Sequence, residues 1–150
     1  MRSLWIKIHL YVAAFFLPML VAMAGSGGLY LLGVKGSVES TPVALTTTRA
    51  LSANSDTLDS DVRELLSANG IDHDFEYIKV SGKKLITRPT SANYYEFTLL
   101  ENEIVATINQ PDVIKSLVEL HKGHGPLLFK DLQKLMALGL LIVLLSGFWL

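Results

Sequence analysis

The chain holds four histidines, His9, His73, His121 and His124, and no cysteine, so imidazole is the side chain with the most chemistry to offer. A neutral imidazole nitrogen is a usual ligand of haem iron, and a histidine at membrane depth is costly unless something engages it. His9 and His121 each lie in or near a long apolar stretch, which makes them the candidate axial ligands of a b-type haem. They fall near opposite membrane faces, roughly 30 Å apart, so one iron cannot take both. Each haem would need a second histidine from another copy or another subunit. The competing reading makes His9 a hydrogen-bonding residue of the headgroup layer and His121 the end of an interfacial helix, with no cofactor at all.

His121 and His124 form an H-x-x-H pair, which on a continuous helix would turn both rings to one side for a metal. Gly123 and Gly125 interrupt any such helix, and Glu119 is expected to point elsewhere, so a loop with two solvated imidazoles is the alternative. His73, between Asp72 and Asp74, reads as a surface turn residue whose acidic neighbours raise its pKa. The lack of cysteine removes disulfides, thiolate catalysis and Cys-ligated metals. No G-x-S-x-G elbow, S-x-x-K in a globular setting or recognisable carboxylate pair is present, so an enzyme is not the favoured class. Thirteen basic against fourteen acidic residues suggest neither nucleic-acid binding nor strong electrostatic steering.

The elements that must position these groups begin with two apolar stretches, Ile6–Val34 and Leu127–Leu150, each long enough to cross a bilayer. Lys130, Asp131 and Lys134 stand in the first turns of the second, where long side chains snorkel. Ala22-Met23-Ala24 resembles a signal-peptide cleavage pattern, but the apolar run continues past it through Leu29–Leu32, which reads as a retained anchor. Arg2 and Lys7 before the first span and the single Lys35 after it place both termini in the cytoplasm and residues 36–126 outside. Trp5, Tyr30 and Trp149 fall near the expected interfaces, and Pro18 is expected to kink the first span. Ala24, Gly25, Gly27 and Gly28 offer a small-residue face for another transmembrane helix, either the second span or a partner's.

Between the spans the periodicity changes. Residues 36–48 are rich in Ser, Thr and Pro and read as a linker. Asp56–Asn69 sets Leu58, Val62, Leu65 and Leu66 on one helical face and ends at Asn69-Gly70. Phe75–Val80 and Lys83–Arg88 flank Ser81-Gly82 as one hairpin, and Tyr94–Leu100 and Glu103–Asn109 flank Glu101-Asn102 as a second. Asp112 then starts a helix that stops at Gly123–Pro126. The expected organisation is an N-terminal span over 1–35, a linker over 36–48, a domain over 49–111, an interfacial helix over 112–125 and a C-terminal span over 126–150. The expected fold is membrane α+β, two transmembrane helices flanking a small external domain of one helix and a four-stranded antiparallel sheet.

The helix and paired hairpins, the run Leu117-Val118-Glu119-Leu120-His121-Lys122-Gly123 and the closing Leu145-Ser146-Gly147-Phe148-Trp149 resemble the PepSY-associated transmembrane family. There an L-H-x-G helix precedes a span ending in Ser/Thr-Gly-aromatic. Ile6–Tyr11 is similar to the family's opening histidine motif, with Val12-Ala13-Ala14 in place of its glycine. The resemblance implies a bacterial inner-membrane protein whose PepSY-like domain is periplasmic. Larger members have four spans and are linked to iron–siderophore uptake and haem-dependent ferric reduction. With two spans, the chain is expected to be a non-enzymatic accessory subunit that docks on or regulates a larger membrane complex, with other transmembrane subunits or a second copy as partners. The alternative is a haem b-bearing electron-transfer or ferric-siderophore reductase subunit acting as an oligomer.

Overall fold

The structure is a computed structural model, which describes residues 2–46, 51–100 and 103–149. Its elements in order are α1 (Arg2–Leu31), β1 (Val38–Val43), α2 (Leu58–Ala68), β2 (Tyr77–Ser81), β3 (Lys84–Arg88), β4 (Tyr94–Leu99), β5 (Ile104–Pro111), α3 (Val113–His121) and α4 (Leu127–Trp149). Helices α1 and α4, with 30 and 23 residues, are long and apolar enough to cross a membrane. At 1.5 Å per residue they extend for roughly 45 and 35 Å. Pro18 stands inside α1, which continues through it as one helix.

The five strands form one antiparallel sheet in the order β1-β5-β4-β3-β2. Five strands rather than four is a correction, because the stretch read as a linker contains β1, paired with β5 from Val38↔Pro111 to Val43↔Ala106. An edge strand buries little on either face, so its residues need not alternate, and Pro42 is tolerated where one side of the ladder is open. The Glu101-Asn102 turn lies outside the described residues, while the Ser81–Lys84 hairpin is present as expected.

Successive residues of a strand face opposite sides. One face of the sheet carries Leu85, Tyr95, Phe97 and Ala106, which close with Leu58, Val62, Leu65 and Leu66 of α2 into the core. Helix α3 approaches the other face at the end nearest α1 and α4. Its N-terminus is capped by Asp112, whose carboxylate accepts from Lys115 N at 2.7 Å and from the backbone and hydroxyl of Ser37 at 2.8 and 2.9 Å. Gly36, with φ +68°, is required there because a Cβ would collide with the Lys115 backbone. The carboxylate of Glu76 accepts from Leu127 N at 2.9 Å, so a residue just ahead of β2 caps the first turn of α4 and complements its dipole. Lys130 adds a 3.0 Å bond to the Tyr77 hydroxyl. The domain is thus joined to α4 by side chains as well as by the chain itself.

Candidate functional site

Helices α1 and α4 meet along a seam whose contacts recur at heptad spacing. His9 faces Ser146 and Gly147, Phe16 covers Gly139, and Met23 meets Gln133. The partner numbers fall as the α1 numbers rise, so the helices run antiparallel, and a seven-residue recurrence is what keeps one seam in register along two helices. Small residues opposite large ones let the backbones approach. A Cβ on Gly139 would lie 2.6 Å from Phe16 Cδ2, and one on Gly27 would lie 2.8 Å from His121 Cε1.

Both predicted haem histidines pack against this helix pair, His9 within the α1–α4 seam and His121, at the end of α3, against α1. His9 Nδ1 lies 2.9 Å from Ser146 Oγ, whose hydroxyl donates to Val143 O at 3.0 Å. The serine proton is therefore used, and Nδ1–H of His9 donates to its oxygen. His121 Nδ1 lies 2.9 Å from Met23 O, and a carbonyl only accepts, so Nδ1 carries the proton here too. A neutral ring that donates through Nδ1 keeps its Nε2 lone pair. His121 is thus more than a helix end: it reaches across to α1 over Gly27, with Ser26 Oγ donating to the same Met23 carbonyl at 3.1 Å. His9 and His121 are about 18 residues apart along α1, roughly 25 Å, and do not meet.

Within the chain the small-residue face divides. Gly27 receives His121, whereas a Cβ on Gly25 or Gly28 would meet nothing within 4 Å, and Ala24 is exposed. Of the two helices expected for that face, the second span is not at Gly28: α4 occupies the face of His9, Phe16 and Met23. Three residues with no assigned role in the sequence reading, Ser26, Gln133 and Ser146, supply polar contacts of the seam. Gln133 donates to Leu120 O at 2.9 Å. For Ser26 and Ser146 the signal was a polar residue standing within an apolar run.

A second polar cluster lies where α3, the sheet and the α3–α4 connection meet. Glu119, 5 % exposed, accepts from Lys115 Nζ at 3.1 Å, Lys122 Nζ at 3.0 Å, His124 Nδ1 at 2.6 Å and Thr90 Oγ1 at 3.1 Å. Thr90 Oγ1 in turn accepts from Arg88 Nη1 at 2.8 Å. Burial pushes the Glu119 carboxyl up, but the bonds from His124, Lys122 and Lys115 outweigh it and hold the group down to about 2. Two expectations are corrected here. Glu119 points into this cluster, and the H-x-x-H pair diverges, His121 going to α1 and His124 to Glu119. The divergence follows from α3 ending at His121 and the chain turning at Gly123, φ +75°. Among the described residues no group of three or more His, Cys, Asp or Glu side chains is placed to hold a metal ion.

His73 is half-buried. Its ring lies 4.8 Å from that of Tyr95, and Nε2 is 3.3 Å from Thr87 Oγ1. Burial lowers its pKa against the opposing pull of Asp74, with Arg63 also lowering it. The expected rise is corrected, since loss of water from the ring outweighs the neighbouring acid. Asp74 is itself engaged by Arg63 at 2.9 Å.

Chemically, the seam and the cluster hold elements together. Neither aligns a hydroxyl with a base and an orienting acid around an open space. Comparison with protein-family models, with curated proteins and with solved structures finds no match.

Proposed function

We infer that the chain is a non-catalytic accessory subunit of a larger membrane complex. In this reading α1 and α4 cross a bacterial inner membrane with both termini in the cytoplasm, and the α+β domain, PepSY-like, stands in the periplasm. One observation carries the reading. Gly27 is opposed by His121 of α3 and, along the α1–α4 seam, Gly139 by Phe16 and Gly147 by His9, while a Cβ on Gly25 or Gly28 would meet nothing within 4 Å among the described residues. Glycine inside a helix lowers its stability by about 1 kcal/mol relative to alanine, so a pair left open in a chain that uses its other helical glycines for close packing suits a helix from outside. Firm attachment of the domain through Glu76, Tyr77 and Asp112 would carry any contact made in the periplasm to the spans. The test is site-specific photocrosslinking from position 28 in intact membranes, compared with lipid-facing Leu17. A product from 28 and none from 17 supports the subunit reading. Equal labelling from both positions refutes it.

A second reading has its own observation. A haem-ligating histidine usually donates Nδ1–H to an acceptor and keeps Nε2 for iron, and both His9 and His121 do this. One chain does not complete the site, since each face contributes a single imidazole to the helix pair, so this reading requires a second copy or subunit. Purification with haem supplied decides it. A Soret band lost in both His9→Ala and His121→Ala supports haem b, and its absence in the wild type removes the reading.

A further inference from the structure

Around the single carboxylate of Glu119 stand three cations, Arg88, Lys115 and Lys122, together with His124. The carboxylate already accepts from four donors, which fills its roughly four lone-pair positions, so it neutralises one charge and has no capacity for more. At least two positive charges are left over. Arg88 is 6 % exposed, and its Nε is a buried donor with no hydrogen-bond partner among the described residues, a group that in a folded protein calls for an explanation such as a bound water or ion. Lys122 and His124, with side chains 40 % and 30 % exposed, open the cluster to the outside. The connection that carries them leads into α4, whose first residues Leu127 and Leu128 are 52 % and 83 % exposed. If α4 spans the bilayer, as read above, the cluster stands at the external headgroup layer.

We propose that the Arg88–Lys115–Lys122–His124 cluster binds the phosphate of an anionic phospholipid headgroup at the external membrane surface. The phosphate oxygens supply acceptors that Glu119 cannot, and Lys122 and His124 present donors on the open side. Lysines beside a charged surface strengthen binding by about fivefold each, and the partly buried position weakens screening by salt. The inference rests on the membrane-spanning reading, and the experiment separates the two.

Full-length protein is reconstituted in nanodiscs of phosphatidylcholine, with or without phosphatidylglycerol, and carbonate extraction of the same protein from liposomes reports insertion independently. Retention after carbonate in both lipids supports spanning, and extraction would overturn that reading before lipid choice is considered. In detergent, native mass spectrometry counts bound phosphatidylglycerol against phosphatidylcholine. The wild type is expected to prefer the anionic lipid, and Lys115→Gln/Lys122→Gln to lose that preference by about tenfold or more, with circular dichroism unchanged. Lys84→Gln, remote and paired with Glu96, should retain it. Inorganic phosphate at about 10 mM, where screening is still weak, should not displace the lipid. Equal binding of both lipids, full preference in the double variant, or displacement by free phosphate would each overturn the proposal.

Discussion

Replacing Glu119 by Gln removes one charge and little volume, and the structure sets both the size and the pH dependence of the effect. The carboxyl is held at about 2 against an ordinary 4.5. At about 1.4 kcal/mol per pKa unit, the ionised group contributes at most about 3.5 kcal/mol near neutral pH. The outer ends of Lys115 and Lys122 reach solvent, which screens part of this, so about 2 kcal/mol is expected. A domain of this size loses about 4–8 °C per kcal/mol, which places the fall in Tm near 10 °C at pH 7. Because the folded pKa is depressed, the stabilisation is complete above about 4.5 and disappears as pH falls through about 2. The gap between wild type and Glu119→Gln should therefore narrow to less than half by pH 3. Near-ultraviolet circular dichroism of the tyrosines in detergent follows the domain at both pH values. A gap that is constant with pH, or a variant as stable as wild type at pH 7, would refute the assignment of Glu119 as the ionised centre of the junction.

Four further outcomes follow from other contacts. Gly139→Leu drives a side chain into the Phe16 ring and should loosen the helix pair, read as lost crosslinking between cysteines placed on α1 and α4; undiminished crosslinking would remove that seam. Leu65→Ala empties a site 1 % exposed and should lower stability by about 3 kcal/mol, measured by denaturant titration of the domain. His73, with its pKa lowered by burial, contributes stability that is present above 6.5 and lost as pH falls through the folded value; His73→Phe should flatten that part of the stability profile. Reporter fusions after Asn109 and after Leu150 should report the periplasm and the cytoplasm respectively, and a cytoplasmic signal at Asn109 would invert the proposed topology.

Elements held together by local periodicity were legible in the sequence. Apolar residues without interruption mark α1 and α4, a four-residue face marks α2, and Asp112 begins α3 because a carboxylate there satisfies free N–H groups whatever the rest of the chain does. Strand β1 was not legible: its pairing partner lies about 70 residues away, and an edge strand of Ser, Thr and Pro has no alternation to read. His9 and His121 were recognisable as histidines that need a partner at the membrane, but not which partner, because Ser146 and the Met23 carbonyl come within reach only when α1 and α4 pack antiparallel.

The cluster around Glu119 shows the division most clearly. Helical spacing placed Lys115 and Lys122 within reach of Glu119 by their separations of four and three residues. Arg88, Thr90 and His124 join only in the folded chain, after the sheet brings the end of β3 beneath α3 and Gly123 turns His124 back. A buried carboxylate is stable only when donors from several elements converge on it, and convergence is a property of the tertiary structure. Local composition and periodicity decide which segments are apolar and which helices form; the packing of those segments decides where their few polar side chains meet.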